Sequence, residues 1–274
     1  MNKMEVRDRM KSGMKLTPLK IEISDKDVYI HPKMQEDLEG IMGCIERNAL
    51  FGKEMGYSGI IFEGPAGTGK TLYAKWMAYK TNSNLVDVGL ITGPDQIRDL
   101  YKGVRELRKS QDKPVLLFID EIDRVSNRDD IVDPSQATTL NQLLMELDGT
   151  ESNQGIYTLA ATNRPEKIDN ALRRPGRIGK EIYFYPPDEK GRNEVLRIHA
   201  FNKDHQFKVK DDDLKELAKI TYGYTGADLK GVLTEAFVKA NKDKRKDVEF
   251  QDLQYAFKKI KPSAIRDMAF KEPK

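Results

Sequence analysis

The chain has 274 residues, enough to bury real apolar cores in one large domain plus a smaller one. Its 47 basic and 44 acidic residues leave a net charge of only +3, which does not point to a nucleic-acid binder, whose footprint is a strong basic excess. Cys44 is the single cysteine, so an intrachain disulfide is excluded and a reducing compartment is consistent. No apolar run approaches the roughly 18 residues of a membrane span, and the first twenty residues lack a signal-peptide core. The reading is a cytoplasmic protein without membrane association.

In chain order, residues 1–20 read as a flexible N-terminal arm, because Gly13, Pro18 and many charges interrupt any periodic face. The first clear element is the apolar run Gly59-Ile60-Ile61-Phe62, a strand. It is followed at once by Gly64-Pro65-Ala66-Gly67-Thr68-Gly69-Lys70-Thr71 and then by a helix-like stretch over 72–80. Strand, Gly-x4-Gly-Lys-Thr and helix, in that order, is the context a phosphate-binding P-loop requires. The glycines let backbone N–H groups turn inward around a phosphate, and the helix N-terminus adds partial positive charge. Lys70 is expected to reach the β- and γ-phosphates and Thr71 to offer a hydroxyl to Mg2+. The alternative is a flexible glycine turn that precedes a helix.

The next apolar run, Val115-Leu116-Leu117-Phe118-Ile119, reads as a buried parallel strand and ends in Asp120-Glu121. Carboxylates at the C-terminal end of such a strand stand where open α/β sheets bind ligands. Asp120 is expected to be the metal partner and Glu121 the general base for an attacking water; a solvated turn is the other reading. A third strand over 156–162 ends in Asn163, placed to orient that water. Then come Arg173-Arg174-Pro175-Gly176-Arg177, a loop or helix end rather than a helix face. Alone this is a solvated basic surface; beside a P-loop and a magnesium carboxylate its arginines suit a transferring phosphoryl group. Pro186-Pro187-Asp188 is a turn-rich boundary, and helix-like segments follow over 191–201, 212–220, 227–239 and 250–260.

These motifs in this order resemble the AAA-family ATPases of the AAA+ superfamily, in the clade of valosin-containing-protein and FtsH-type remodelling motors, over about residues 27–266. The resemblance implies an α/β P-loop NTPase with a parallel five-stranded sheet sandwiched by helices, then a small α-helical lid. It implies a large domain over 21–187, a lid over 188–262 and a tail over 263–274 similar to an inter-ring linker. ATP and Mg2+ are the implied cofactors. Gly64 to Thr71 would be Walker A, with Leu72 following at the nucleotide, and Leu116 to Glu121 Walker B. Asn163 would be sensor 1, and Arg174 and Arg177 arginine fingers reaching a neighbouring subunit's ATP. His199 would lie against adenine, although a lone helical histidine is ordinarily surface or core. Gly226 and Ala227 would form the lid turn that approaches the nucleotide, and Asp148-Gly149-Thr150 the element for signalling between subunits.

Some positions depart from the family pattern. The segment between Pro94 and Asp120 is shortened, leaving Tyr101-Lys102-Gly103 as the aromatic-x-Gly tripeptide that would line a pore, with Tyr101 gripping polypeptide. A helix-surface tyrosine is the other reading. Ile178-Gly179-Lys180 follows Arg177 where the family prefers Phe-Asp-Arg, and Asp27-Val28-Tyr29-Ile30 stands for Asp-Ile-Gly-Gly. A sensor-2 arginine is absent. The implied function is ATP-driven protein remodelling by a homo-oligomeric ring, a hexamer in this family, acting on polypeptide with an adaptor or protease partner. The alternative is an ATP-gated assembly switch acting on DNA or a partner protein without threading.

Overall fold

The computed structural model describes residues 16–51, 59–89, 91, 93–126, 134–149, 152–201 and 208–266. Thr150, most of the expected arm and the end of the expected tail lie outside these residues. Five strands, β1 (Gly59–Glu63), β2 (Asn84–Asp87), β3 (Val115–Ile119), β4 (Ile156–Thr162) and β5 (Lys180–Tyr183), form one sheet of order β2-β3-β4-β1-β5. Every pair is parallel, with Gly59 opposite Thr158 and Phe118 opposite Leu159. No residue of β3 is more than 1% exposed. Successive strand side chains point to opposite faces, so a strand buried at every position is covered on both, as parallel sheets are.

Five helices belong to the chain around this sheet: α1 (Pro32–Phe51), α2 (Lys70–Lys80), α3 (Pro94–Gln111), α4 (Asp123–Ser126) and α5 (Pro134–Asp148). Pro94 opens α3, where its missing N–H is no loss. Asp112 closes it in a left-handed conformation, φ 46°, with its N–H on the Arg108 carbonyl. The buried face of α3 is Ile97, Leu100, Tyr101, Val104, Arg105 and Leu107, the three-and-four spacing of an amphipathic helix. The expectation of a pore-lining Tyr101 is corrected here. Its side chain is 1% exposed, its hydroxyl lies 2.8 Å from Thr158 Oγ1 of β4, and burial pushes its pKa well above the usual tyrosine value. A ring enclosed against the sheet cannot grip polypeptide. Beside it Arg105 donates to Glu146 at 2.6 Å and to Asn153 at 3.1 Å, a satisfied buried pair that fixes α3 against the end of α5.

The chain divides into two compact units. Among the described residues, 24–35, 64–69 and those from 184 to 266 form one, and the rest, containing the sheet, form the other. This differs from a simple boundary at 187/188, since the glycine loop groups with the helical unit. That unit contains α6 (Glu189–Ala200), α7 (Asp211–Ile220), α8 (Gly226–Lys242), α9 (Phe250–Lys259) and the short α10 (Ser263–Arg266), around a core that includes Leu196, Leu214, Leu217, Val232, Ala236 and Leu253. Buried Arg192 donates to the Ala218 carbonyl at 2.8 Å and to that of Pro187 at 3.2 Å, tying α6 to α7.

One boundary expectation is corrected. Residues 16–20 are not free arm: the Leu19 N–H donates to the Leu85 carbonyl of β2 at 2.8 Å, and Leu16 packs against the sheet unit's core. Of the expected linker-like tail, residues 263–266 form a helical turn whose Ala264 is fully buried.

Candidate nucleotide site

The loop over 64–69 is shaped by backbone that side chains resist. Gly64 has φ +138°, and a Cβ there would lie 2.5 Å from the Phe184 carbonyl oxygen. Gly67 has φ +78°, and a Cβ there would lie 2.7 Å from Thr225 Oγ1 and 2.8 Å from Ala227 Cβ. Only glycine meets both demands, of conformation and of space. The Ala227 N–H donates to the Gly67 carbonyl at 3.2 Å, and Thr68 Oγ1 donates to the Pro65 carbonyl at 2.9 Å. Pro65 is buried, while Ala66, Thr68 and Gly69 are half-buried. The structure thus places Gly226 and Ala227 at the loop and adds Thr225. Its sequence signal was the Thr-x-x-Asp capping box over 225–228.

Elsewhere in the helical unit, His199 is half-buried in the last turn of α6. Tyr29 donates its hydroxyl to Asp188 at 3.1 Å, and its ring crosses Gly191, where a Cβ would come within 2.4 Å of it. His31 stacks on Tyr185 with ring centroids 5.2 Å apart, and burial lowers its pKa.

In the sheet unit, Lys70 opens α2 only 8% exposed, with its ammonium donating to Asn163 Oδ1 at 2.5 Å. Ninety-odd residues of chain separate them, so the contact exists because β1 and β4 are paired and their C-terminal ends coincide. Thr71 follows, half-buried, and Leu72 is exposed. At the end of β3, Asp120 is half-buried and Glu121 is exposed with a left-handed φ of 52°. The Glu121 N–H donates to Asp120 Oδ1 at 3.0 Å, and its carboxylate pairs with Arg124 at 2.7 Å. Two hydrogen bonds between residues not singled out as site residues fix this tip: Thr162 Oγ1 donates to Asp123 Oδ1 at 2.8 Å, while the Ile122 N–H donates to the Ala161 carbonyl at 3.0 Å. The ends of β3 and β4 are therefore bolted together, which sets Asn163 relative to the two carboxylates. At the end of β1, burial raises the Glu63 pKa and nearby Glu181 adds to the effect, against Arg173.

The two expected arginine fingers differ. Arg174 is exposed. Arg177 instead forms a two-pronged pair with its own chain's Asp148, Nε to Oδ1 at 2.6 Å and Nη2 to Oδ2 at 2.8 Å, and donates to the Ala171 carbonyl at 2.7 Å. These bonds hold the Asp148 carboxyl below the usual aspartate range.

A parallel sheet with a glycine loop after β1, a buried lysine at the helix start and carboxylates after β3 defines a P-loop NTPase. In the sheet unit a helix N-terminus, one cation, one hydroxyl and carboxylate oxygens suit phosphate and Mg2+, and in the helical unit the positive-φ glycine backbone suits phosphate.

Comparison with known proteins agrees. Residues 60–186 match the family model "ATPase family associated with various cellular activities (AAA)" and residues 211–255 match "AAA+ lid domain". The chain belongs to the AAA ATPase family. It is 37% identical over 267 residues to the "ATP-dependent zinc metalloprotease FtsH 1" of Petrotoga mobilis, covering 91% of this chain and 39% of that protein. It is 40% identical over 211 residues to the FtsH of Lactiplantibacillus plantarum, 73% of this chain and 27% of the relative. It is also 37% identical over 243 residues to "Protein SAV" of Sulfolobus acidocaldarius, 79% of this chain and 30% of that protein. The chain therefore spans well under half the length of these curated relatives. Among the described residues, no helix is long and apolar enough to cross a membrane, and no three His, Cys, Asp or Glu side chains gather as a metal set.

Proposed function

We propose that the chain hydrolyses ATP with Mg2+ at the subunit interfaces of a homo-oligomeric ring, a hexamer, and uses the cycle to remodel or unfold polypeptide. The observation that carries the chemistry is the 2.5 Å bond from Lys70 to Asn163 beside a strand tip that bears Asp120 and Glu121. In this reading residues 21–187 are the ATPase domain and 188–262 the lid. The N–H groups of Gly64 to Thr71 bind phosphate, and Lys70 follows charge from the β- to the γ-phosphate. Thr71 and Asp120 would hold Mg2+, which when bound neutralises charge on the phosphate oxygens. Glu121 accepts the proton of the attacking water, and Asn163 orients that water. Arg174 is offered to a neighbouring subunit's nucleotide. Arg177, aligned by Asp148, supports it. Leu72, His199, Gly226 and Ala227 contact the rest of the nucleotide. An adaptor or protease partner would supply substrates. A cytoplasmic setting is supported by the single cysteine.

Burial of Tyr101 favours a second reading, an ATP-gated assembly switch that does not thread polypeptide, since the aromatic expected to grip is committed to the core. Steady-state ATP hydrolysis at several protein concentrations, with and without an unfolded polypeptide and separately DNA, decides between them. The motor requires a specific activity that rises with concentration and is stimulated by polypeptide. Indifference to polypeptide, or a response to DNA alone, moves the assignment to the switch; absence of hydrolysis refutes both.

A further inference from the structure

The segment that follows α9 is fastened to the first turn of α8, and that turn is in contact with the glycine loop. Asp228 Oδ2 lies within hydrogen-bond distance of four donors. Two belong to Thr225, its N–H at 2.9 Å and its hydroxyl at 2.9 Å. Two belong to Ser263, its N–H at 3.0 Å and its hydroxyl at 2.7 Å. The Thr225 and Ser263 hydroxyls are themselves 3.3 Å apart. On the other side of the same turn, Thr225 Oγ1 is the atom a Cβ on Gly67 would strike, and Ala227 donates to the Gly67 carbonyl. Around this junction Tyr224 donates its hydroxyl to the Ile260 carbonyl at 2.6 Å, and Ala264 is fully buried.

A capping box needs only the Thr225 and Asp228 pair. The cap of α8 is complete without Ser263, so the two bonds from Ser263 are additional and tie a separate stretch of chain to the cap. We propose that Ser263, acting through Asp228 and Thr225, is a positioning residue for the phosphate loop, so that the docked or undocked state of residues 260–266 sets how firmly the loop is held for nucleotide. The physical argument is contiguity. A carboxylate shared by two hydroxyls orients both, and a threonine whose hydroxyl is oriented presents a fixed surface to Gly67. With the Ser263 hydroxyl gone, Asp228 keeps one fewer anchor and the cap as a whole can shift against Gly67, which has no side chain to resist. Anything that draws residues 260–266 away from α8 would thus weaken phosphate binding without touching a phosphate-binding group. The inference rests on the reading of residues 64–69 as the phosphate site.

The test uses the whole chain as parent, Ser263→Ala, Ser263→Thr and, as a control elsewhere in the same unit, Lys259→Ala, which removes an exposed pair with Glu235. Two readouts are taken: hydrogen exchange of the Gly67, Thr68 and Gly69 amides without nucleotide, and the Kd for a fluorescent ADP analogue. Ser263→Ala is expected to speed exchange at these amides and weaken the analogue by about three- to tenfold, the effect of one or two hydrogen bonds. Ser263→Thr restores both, and Lys259→Ala changes neither. Unchanged loop exchange in Ser263→Ala overturns the proposal, as does an equal effect of Lys259→Ala, which would show general loosening. If the parent binds no analogue, the functional reading fails, while loop exchange still decides the positioning role.

Discussion

Glu121 sits in a backbone conformation that disfavours any residue with a Cβ, φ 52°, at a position where a carboxylate is wanted at the strand tip. Left-handed backbone costs such a residue about 1–2 kcal/mol, and strain of this sort concentrates at functional sites. Glu121→Gly is therefore expected to leave urea-unfolding stability unchanged or raise it by up to about 1 kcal/mol, because glycine accepts this φ. Turnover is expected to fall by about 10²-fold or more, the contribution of a general base. A loss of stability together with activity would show that the strain is absent or the glutamate structural. Asp123 and Thr162 complete the residue-scale picture: neither is expected to meet substrate, yet their 2.8 Å bond keeps the ends of β3 and β4 in register.

At the scale of elements, α3 shows what the sequence could and could not say. The aromatic-x-Gly tripeptide at 101–103 matched a pore pattern by local spelling, whereas the helical spacing of Ile97, Leu100, Tyr101, Val104 and Leu107 puts Tyr101 on the buried face. Periodicity outranked motif. Tyr101→Phe is expected to lower stability by about 1 kcal/mol through loss of the Thr158 bond, and Tyr101→Ala by about 3–5 kcal/mol through an unfilled cavity. Denaturant midpoints check both; a stable Tyr101→Ala would contradict the burial. In the helical unit, Arg245 clasps Asp252 with bonds of 2.8 and 2.7 Å, and these hold the Asp252 pKa below its ordinary value. A depressed folded pKa means the stabilisation is present in full above the unfolded value, about 4, and is lost as pH falls through the lower folded value. Asp252→Asn is expected to destabilise the protein near neutral pH, by less than a fully buried pair would show, because the Arg245 side chain stays about a third exposed and water can still solvate its charge. It should also flatten the stability curve below about pH 4, which acid titration by circular dichroism would register.

For the molecule as a whole, the strands that were legible were those buried on every side, β1, β3 and β4, because a continuous apolar run has few other uses. β2 and β5 are four-residue edge strands, Asn84–Asp87 and Lys180–Tyr183, too short and too polar to stand out. The four longer helices of the helical unit were legible from periodicity and caps to within about three residues, in keeping with the usual blur of helix ends. The grouping of the glycine loop with that unit was not, since it depends on the Gly67 contacts with Thr225 and Ala227 rather than on any local spelling. Nucleotide should stabilise the folded chain by mass action, by about 2.7 kcal/mol at a ligand concentration a hundredfold above Kd. Lys70→Ala is expected to abolish most of that gain in a thermal-shift titration. An unaltered shift would remove Lys70 from the phosphate site.

The sheet order has one more consequence, for the chain as it emerges from the ribosome. β1 lies between β4 and β5, so Gly59 waits for Thr158 and Ile60 for Lys180. At about 5–20 residues per second, the wait for β4 is on the order of ten seconds. Through that interval an apolar strand with two open edges is exposed, the arrangement most prone to pair with other chains. Nascent chains arrested before Tyr183 should therefore be the ones held by chaperones or found insoluble, and release should coincide with synthesis of β5.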